Sequence, residues 1–324
     1  MRAVVCEKFG PPSSLRESEI TTPDIGPEEA LIEVHAAGVG FVDGLMIQGK
    51  YQVKPSLPYY PGSEFSGVVV KTGADVGDLS VGSRVMGLAG SGAFSQFVAL
   101  PASRLITLPD EINHTTAASL YINYATALYG LRDCGKLAKG ETLLILGASG
   151  GVGSAAITIA KAMGAHVIGA ASSEEKRSAT IRFGADASID YTKEGWRSEL
   201  KALTPGGLNV VYDPVGGDYA ETAFRALAPG GRFLVVGFAA GTIPSIPLNL
   251  ALLKRSSIVG VDWGGESRAH PEINHVLITT ILSWIESGVL QPAEVVTRPI
   301  REVREALEDQ LAGRIVGKLV LINE

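Results

Sequence analysis

The chain is 324 residues long, with 46% hydrophobic residues, 19% charged residues and a formal net charge of -6. That balance suits a compact α/β protein large enough for two domains; it excludes a disordered chain and gives no basis for nucleic-acid binding. Its 39 glycines follow no collagen period, and two cysteines, Cys6 and Cys134, make neither a disulfide framework nor a metal cluster.

The N-terminus reads Met1-Arg2-Ala3-Val4-Val5-Cys6 and meets Glu7 and Lys8 before an apolar run develops, so no secretory segment is expected and a cytoplasmic location is. Extended segments are predicted at residues 3–6, 30–37, 67–70, 84–86 and 94–100. In the second of these, Ala30, Ile32, Val34 and Ala36 alternate with Leu31, Glu33 and His35, the pattern of a half-buried strand. Gly38, Gly62, Gly67, Gly73, Gly77, Gly82 and Gly87 punctuate the region with turns, and together these features predict an antiparallel, barrel-like domain.

Near Ala117 the character changes, and a helix through Tyr124, Ala127 and Leu131 leads into a run of alternating strands and helices. Leu143-Leu144-Ile145-Leu146 reads as a strand that feeds the turn Gly147-Ala148-Ser149-Gly150-Gly151-Val152-Gly153. Ala148, Gly150 and Gly153 fall at the three small-residue positions of the dinucleotide fingerprint, with Ala in place of the first Gly. The N–H groups at the helix start that follows can face a pyrophosphate. The uncharged stretch 142–160 is divided by this turn, so it reads as a buried strand and helix and predicts no membrane insertion. A one-sided helix from Val152 to Met163, packing through Ala155, Ala156, Ile159, Ala160 and Met163, should reach a second strand at 165–170.

Where NAD enzymes usually carry an acidic residue near the end of that strand, this chain has Ala171-Ser172-Ser173, followed by Lys176 and Arg177. Hydroxyls and cations suit a 2′-phosphate, so NADPH is expected over NADH, the alternative being a solvated helix start. Glu174 and Glu175 should begin that helix behind a Ser173 cap. Further strands are predicted at 187–189, 209–212, 232–236 and 258–261, with helices at 174–183, 195–203 and 219–227, giving an open doubly wound sheet. Pro205-Gly206-Gly207 and Pro229-Gly230-Gly231 read as helix-to-strand turns. The tail, with helices at 273–287 and 301–310 and a strand at 315–321, is expected to rejoin the first domain.

Taken together, these segments resemble the zinc-independent quinone oxidoreductase branch (zeta-crystallin-like) of the medium-chain dehydrogenase/reductase superfamily. The resemblance spans Gly62-Ser63-Glu64-Phe65-Ser66-Gly67-Val68, Gly82-Ser83-Arg84-Val85, the glycine turn, Tyr212-Asp213-Pro214-Val215-Gly216-Gly217, Val236-Gly237-Phe238 and Gly317-Lys318-Leu319-Val320-Leu321. It implies an α/β protein with a GroES-like β-rich catalytic domain (1–120 and 262–324) and a doubly wound, NADPH-binding Rossmann domain (121–261). Zinc alcohol dehydrogenases of the superfamily carry His where Ser63 stands, no Cys lies near Gly40, and the five histidines show no tetrahedral-site spacing, so no metal is expected.

By the same resemblance, Tyr191 borders the adenosine phosphate pocket of Ser172, Ser173 and Lys176, while Gly237-Phe238-Ala239 and Lys318 approach the cofactor. For Tyr191, covering a domain edge is the alternative. Candidate substrate residues are Gly40, Phe41, Asp43 and Tyr51, with Tyr59 and Tyr124 as further pocket walls. Asp43 would organise a loop or proton network, or act as a structural cap. Tyr51 offers a wall and a hydroxyl for proton donation, or ordinary packing. Quinone reductases commonly have Asn at the Gly40 position, an amide that glycine cannot replace. The implied activity is reduction of a quinone by NADPH, in which conjugated oxygens accept charge without zinc. The alternatives are an NADPH-dependent enone or enoyl-thioester reductase, and a non-catalytic NADPH-binding sensor or structural protein. Relatives commonly dimerise through the nucleotide domain, so a homodimer is also implied.

Overall fold

The computed structural model describes residues 1–323. In chain order, β1 (Arg2–Val5) and β2 (Arg16–Glu19) form an antiparallel pair, followed by β3 (Glu29–Val39), α1 (Phe41–Ile47), β4 (Glu64–Thr72), β5 (Arg84–Leu88), β6 (Phe97–Pro101) and β7 (Leu105–Thr107). Then come α2 (His114–Leu128), β8 (Thr142–Ile145), α3 (Gly151–Ala162), β9 (His166–Ala171), α4 (Glu174–Arg182), β10 (Ala187–Asp190), α5 (Trp196–Leu203), β11 (Leu208–Asp213), α6 (Tyr219–Arg225) and β12 (Leu227–Val235). The chain finishes with α7 (Leu248–Lys254), β13 (Ser257–Gly260), α8 (Trp263–Ala269), α9 (Glu272–Glu286), β14 (Val295–Pro299), α10 (Val303–Leu311) and β15 (Lys318–Ile322).

Two compact units result. The first joins Met1–Ile122 to the segment from Val295 onward, and the second is Asn123–Glu294. The chain thus returns to the first unit at Val295 rather than at 262, because α8 and α9 pack within the second. Trp263 of α8 donates its indole N–H to Asn274 of α9 at 3.1 Å, and Leu277, Ile278 and Ile281 are fully buried.

In the first unit, β3 is the centre of a mostly antiparallel sheet ordered β14-β15-β3-β4-β5-β7, with β6 also on β3. Its apolar alternation is why: Ile32, Val34 and Val39 are 0–1% exposed, and they pack with Phe65, Phe94, Leu307 and Leu319. Gly38 lets the chain pass close to α2, since a Cβ there would lie 2.4 Å from the Ala118 carbonyl oxygen. The candidate substrate residues Gly40–Asp43 form the N-cap and first turn of α1, with Asp43 as a cap rather than in a loop. This helix lies against α10 through Gly44, where a Cβ would meet the Leu311 side chain at 2.7 Å.

The second unit carries a six-stranded parallel sheet, ordered β10-β9-β8-β11-β12-β13. The order reverses between β8 and β11, the place where a doubly wound sheet opens a ligand crevice at its carboxyl ends. Residues Gly153 through Ala160 of α3 are all buried, so this helix is enclosed rather than one-sided. Thr158 on this helix is buried as well, its hydroxyl donating to the Ala155 carbonyl at 3.0 Å. Pro229-Gly230-Gly231 is not a turn ahead of a strand but a bulge inside β12, where the pairing slips between Leu208↔Leu227 and Val210↔Arg232. Gly230 takes φ +82 there.

Candidate functional site: a dinucleotide turn and a buried polar cluster

The glycine turn leaves β8 at Leu146, whose N–H bonds the Tyr212 carbonyl at 3.0 Å, while the Ala148 N–H bonds the Ala170 carbonyl at 3.0 Å. The turn is therefore stitched to both neighbouring strands. Gly147 adopts φ +59, and a Cβ there would lie 2.7 Å from Val215. Gly153 is tighter: its Cβ would stand 2.4 Å from the Gly147 oxygen and 2.7 Å from the Ala148 Cα. Gly150, the N-cap of α3, is open by comparison, with only the Gly147 oxygen at 3.5 Å. Ala148 and Ser149 are buried; Gly150, Gly151 and Val152 are half-buried. The first amides of a twelve-residue helix have no intrahelical acceptor and form a cradle that any side chain at Gly153 would close.

At the end of β9, Ser172 and Ser173 are exposed and Lys176 is half-buried. Ser173 caps α4, its Oγ accepting from the Lys176 N–H at 3.3 Å. Tyr191 follows β10; burial, first, pushes its phenol up to about 12, with the nearby Ser172 hydroxyl opposing. Its ring lies against Tyr219 with centroids 4.4 Å apart. The structure thus joins Ser172, Ser173, Lys176 and Tyr191 at the carboxyl end of β9 and β10.

The loop after β12 holds Gly237, Phe238 and Ala239, and is zipped to the loop after β11. Gly237 N–H donates to the Asp213 carbonyl at 3.2 Å and Ala239 N–H to the Pro214 carbonyl at 3.1 Å. Phe238 is 40% exposed. Asp213, not singled out by sequence, is buried and accepts the Val215 and Gly216 N–H groups at 2.8 Å each, while burial pushes its carboxyl up. Tyr124 also belongs to this unit, but as a packing residue. It is 3% exposed, and its hydroxyl oxygen accepts the Ala293 N–H at 2.8 Å.

In the first unit, Asp43 is 1% exposed and works as a cap: its Oδ2 accepts the Gly40 N–H at 2.7 Å and its Oδ1 accepts the Ser63 hydroxyl at 2.9 Å. Burial, more than any other influence, pushes its carboxyl up to about 6, with the Lys318 cation opposing. Lys318 is buried beside Glu64, which sequence reasoning quoted only as part of a motif; the two form an ion pair 6% and 0% exposed. The other Glu64 oxygen accepts the Ile122 N–H at 2.8 Å. Lys318 is therefore committed to a buried carboxylate, an arrangement no local pattern could have revealed across 254 residues. The Tyr59 hydroxyl is buried without a hydrogen-bond partner, and burial with the nearby Asp43 charge raises its pKa. Phe41 and Tyr51 are half-buried, the latter in the loop after α1.

Among the described residues, no group of three or more His, Cys, Asp or Glu side chains could hold a metal ion, and no helix is long and apolar enough to cross a membrane. A family model for the alcohol dehydrogenase GroES-like domain matches residues 26–110, and one for zinc-binding dehydrogenase matches residues 151–278. A quinone oxidoreductase-like protein 2 homolog of Nematostella vectensis is 38% identical over 324 residues, covering 99% of this chain and 88% of the relative. The chain belongs to the zinc-independent quinone oxidoreductase-like family of the medium-chain dehydrogenase/reductase superfamily. Within that family, the quinone oxidoreductase of Mus musculus is 30% identical, with 99% of this chain and 98% of the relative covered. The Escherichia coli quinone oxidoreductase complexed with NADPH superimposes with a TM-score of 0.91 at 29% identity, over 99% of this chain and 100% of that one. The β-rich first unit and the doubly wound second unit are the family's GroES-like and Rossmann folds.

Proposed function

We propose that this protein is an NADPH-dependent, zinc-independent reductase of quinones. The observation that carries the reading is the cradle closed to any Cβ at Gly153, opposite a second-strand end that offers Ser172, Ser173 and Lys176 and no carboxylate on the strand itself. It is supported by likeness to an Escherichia coli quinone oxidoreductase complexed with NADPH. Ala148 through Gly153 would hold the pyrophosphate against the α3 amides. Ser172, Ser173, Lys176 and Tyr191 would hold the 2′-phosphate, and Gly237, Phe238 and Ala239 would face the nicotinamide side, whereas Lys318, paired with Glu64, serves the interior of the first unit. Bound NADPH supplies reducing equivalents from its nicotinamide C4.

The chain's own residues then serve position and polarity. α1 presents Gly40 and Phe41, with Asp43 fixing the Gly40 amide from beneath. Phe41, Tyr51 and Tyr59 are proposed to wall the substrate, and Tyr51 or water to return the proton. Asp43 acts through Gly40 and Ser63 rather than on substrate. Glycine at position 40 would leave room for a quinone ring where an amide side chain would reach; a Cβ there would stand 3.2 Å from Asp43 Oδ2, tighter than ordinary van der Waals contact, so the capping carboxylate would have to shift.

A homodimer is part of the proposal. β13 ends the parallel sheet with one edge unpaired among the described residues, and Ile243, Leu248, Leu252 and Leu253, which precede it in the chain, are 74–78% exposed. Cys6 and Cys134 are both unpaired, in keeping with a reducing cytoplasm.

The test compares initial NADPH oxidation rates of metal-depleted protein with a small quinone and with an enoyl-CoA, using NADH as cofactor control. Faster quinone turnover supports the reading. Preference for the enoyl-CoA would replace quinone with an enoyl thioester as substrate, and NADPH binding without oxidation would make the protein a sensor.

A further inference from the structure

One carboxylate does stand at the sheet end assigned to the cofactor's 2′-phosphate. Asp190 closes β10, and in the parallel register it lies opposite Ala171, immediately before Ser172 and Ser173. Its side chain is 10% exposed, and it directly precedes Tyr191. Two hydrogen bonds from Thr192, first, and the Arg177 cation hold its carboxyl below the usual range, so it is ionised at neutral pH. A bare carboxylate here would repel a dianionic phosphate and favour a cofactor that lacks one.

Arg177 answers that charge. It sits in the first turn of α4, one residue beyond Lys176, yet its side chain is only 16% exposed. One terminal nitrogen donates to Asp190 Oδ2 at 2.6 Å, and the other pairs with Glu174. Lys193 lies 4.0 Å from the same Asp190 oxygen, but its side chain is 66% exposed and screened by solvent. Asp190 Oδ1 accepts both the N–H and the hydroxyl of Thr192, at 3.0 and 2.6 Å, which fixes the chain on either side of Tyr191. Tyr191 in turn lies against the Tyr219 ring, with centroids 4.4 Å apart.

We infer that Arg177 is a positioning residue for cofactor choice: by neutralising Asp190 and anchoring the strand end that carries Tyr191, it makes this site accept NADPH. The inference rests on the NADPH reading above. It assigns the two neighbouring cations different tasks, with Lys176 meeting the phosphate and Arg177 silencing the carboxylate behind it.

The experiment is a binding titration of the full-length protein with NADPH and with NADH, for wild type, Arg177→Ala, Asp190→Asn and the double variant. Arg177→Ala should weaken NADPH about tenfold while changing NADH less than about twofold, as expected for one uncompensated charge near a dianion. The double variant should recover NADPH affinity to within about threefold of wild type, because the buried carboxylate is gone and Glu174, the other partner of Arg177, is 82% exposed and screened by solvent. Asp190→Asn alone should bind NADPH at least as tightly as wild type, which keeps the test decisive if Arg177→Ala does not fold. Equal loss of both cofactors in Arg177→Ala, failure of the double variant to recover, or weakened NADPH binding by Asp190→Asn would each overturn the assignment. A wild-type protein with no NADPH preference would instead remove the NADPH reading itself, and this inference with it.

Discussion

Gly153→Ala adds one methyl group at the tightest point of the dinucleotide turn, and its cost follows from what that methyl meets. The new Cβ would stand 2.4 Å from the Gly147 oxygen, 2.7 Å from the Ala148 Cα and 2.8 Å from the Ala148 carbonyl carbon. These are backbone atoms, about 1 Å inside ordinary van der Waals contact, so no side-chain rotation relieves them. The turn itself cannot retreat freely. Gly147 is at φ +59 close against Val215, and Leu146 and Ala148 are hydrogen-bonded to the strands on either side. α3 must therefore move away from β8, against a buried face that includes Ala155, Ala156 and Ile159. Overpacking of this kind costs about 1–3 kcal/mol. The displaced helix start should also cost about tenfold or more in NADPH affinity, since the amides leave their alignment. Gly150→Ala is the matched control: its Cβ meets only one atom, at 3.5 Å, in an extended N-cap conformation. That change should cost less than about 1 kcal/mol. The assays are denaturant unfolding followed by circular dichroism, and a fluorescence titration with NADPH. A Gly153→Ala protein as stable as Gly150→Ala, with unchanged affinity, would refute the cradle.

Three further outcomes are expected. The Asp43 carboxyl is raised in the fold from 3.8 to about 6, mainly by burial, so its ionisation opposes folding; the penalty is absent below pH 3.8, grows up to pH 6, and then stays near 3 kcal/mol. Asp43→Asn should thus gain stability relative to wild type as pH rises through that window, and a difference constant from pH 4 to 7 in unfolding curves would contradict it. Lys176→Ala should weaken NADPH about tenfold and NADH much less, a split that cofactor titrations would show and that equal losses would exclude. On the dimer proposed above, Leu252→Glu places a charge among side chains 74–78% exposed, so light scattering should find the wild type a dimer and the variant a monomer. Unchanged mass at equal concentration would direct attention to another surface.

The second unit was the more legible part of the chain because its signals are local. Each apolar strand is bounded by glycine or proline, and Ser173 precedes Glu174 and Glu175 as a cap should. The same punctuation misled at Pro229-Gly230-Gly231, where strand pairing resumes across a bulge. α1 was hidden for the opposite reason: Phe41-Val42-Asp43-Gly44 has weak helix propensity, and its helix depends on Leu311, far along the chain, closing over Gly44. Among site residues, Asp43 could be weighed as a cap because Gly40 lies three positions before it. The partners of Lys318 and Arg177 could not be read, since a cation in sequence carries no mark of the carboxylate it will meet. Tyr124 has the aromatic body of a pocket wall, but it is buried and its hydroxyl is occupied by the Ala293 N–H, a partner 169 residues away.

The insertion of β15 between β14 and β3 also has a consequence for biosynthesis. All six strands of the parallel sheet lie between Thr142 and Gly260, so that unit is free to close while translation continues. β3, synthesised much earlier, must wait on the order of seconds more before Lys318–Ile322 leaves the ribosome to pair with it. Through that interval its edge is open and Glu64 lacks its cation. The nascent first third is therefore the segment that most needs chaperone protection, and a stop codon ahead of Lys318 would make that exposed state permanent.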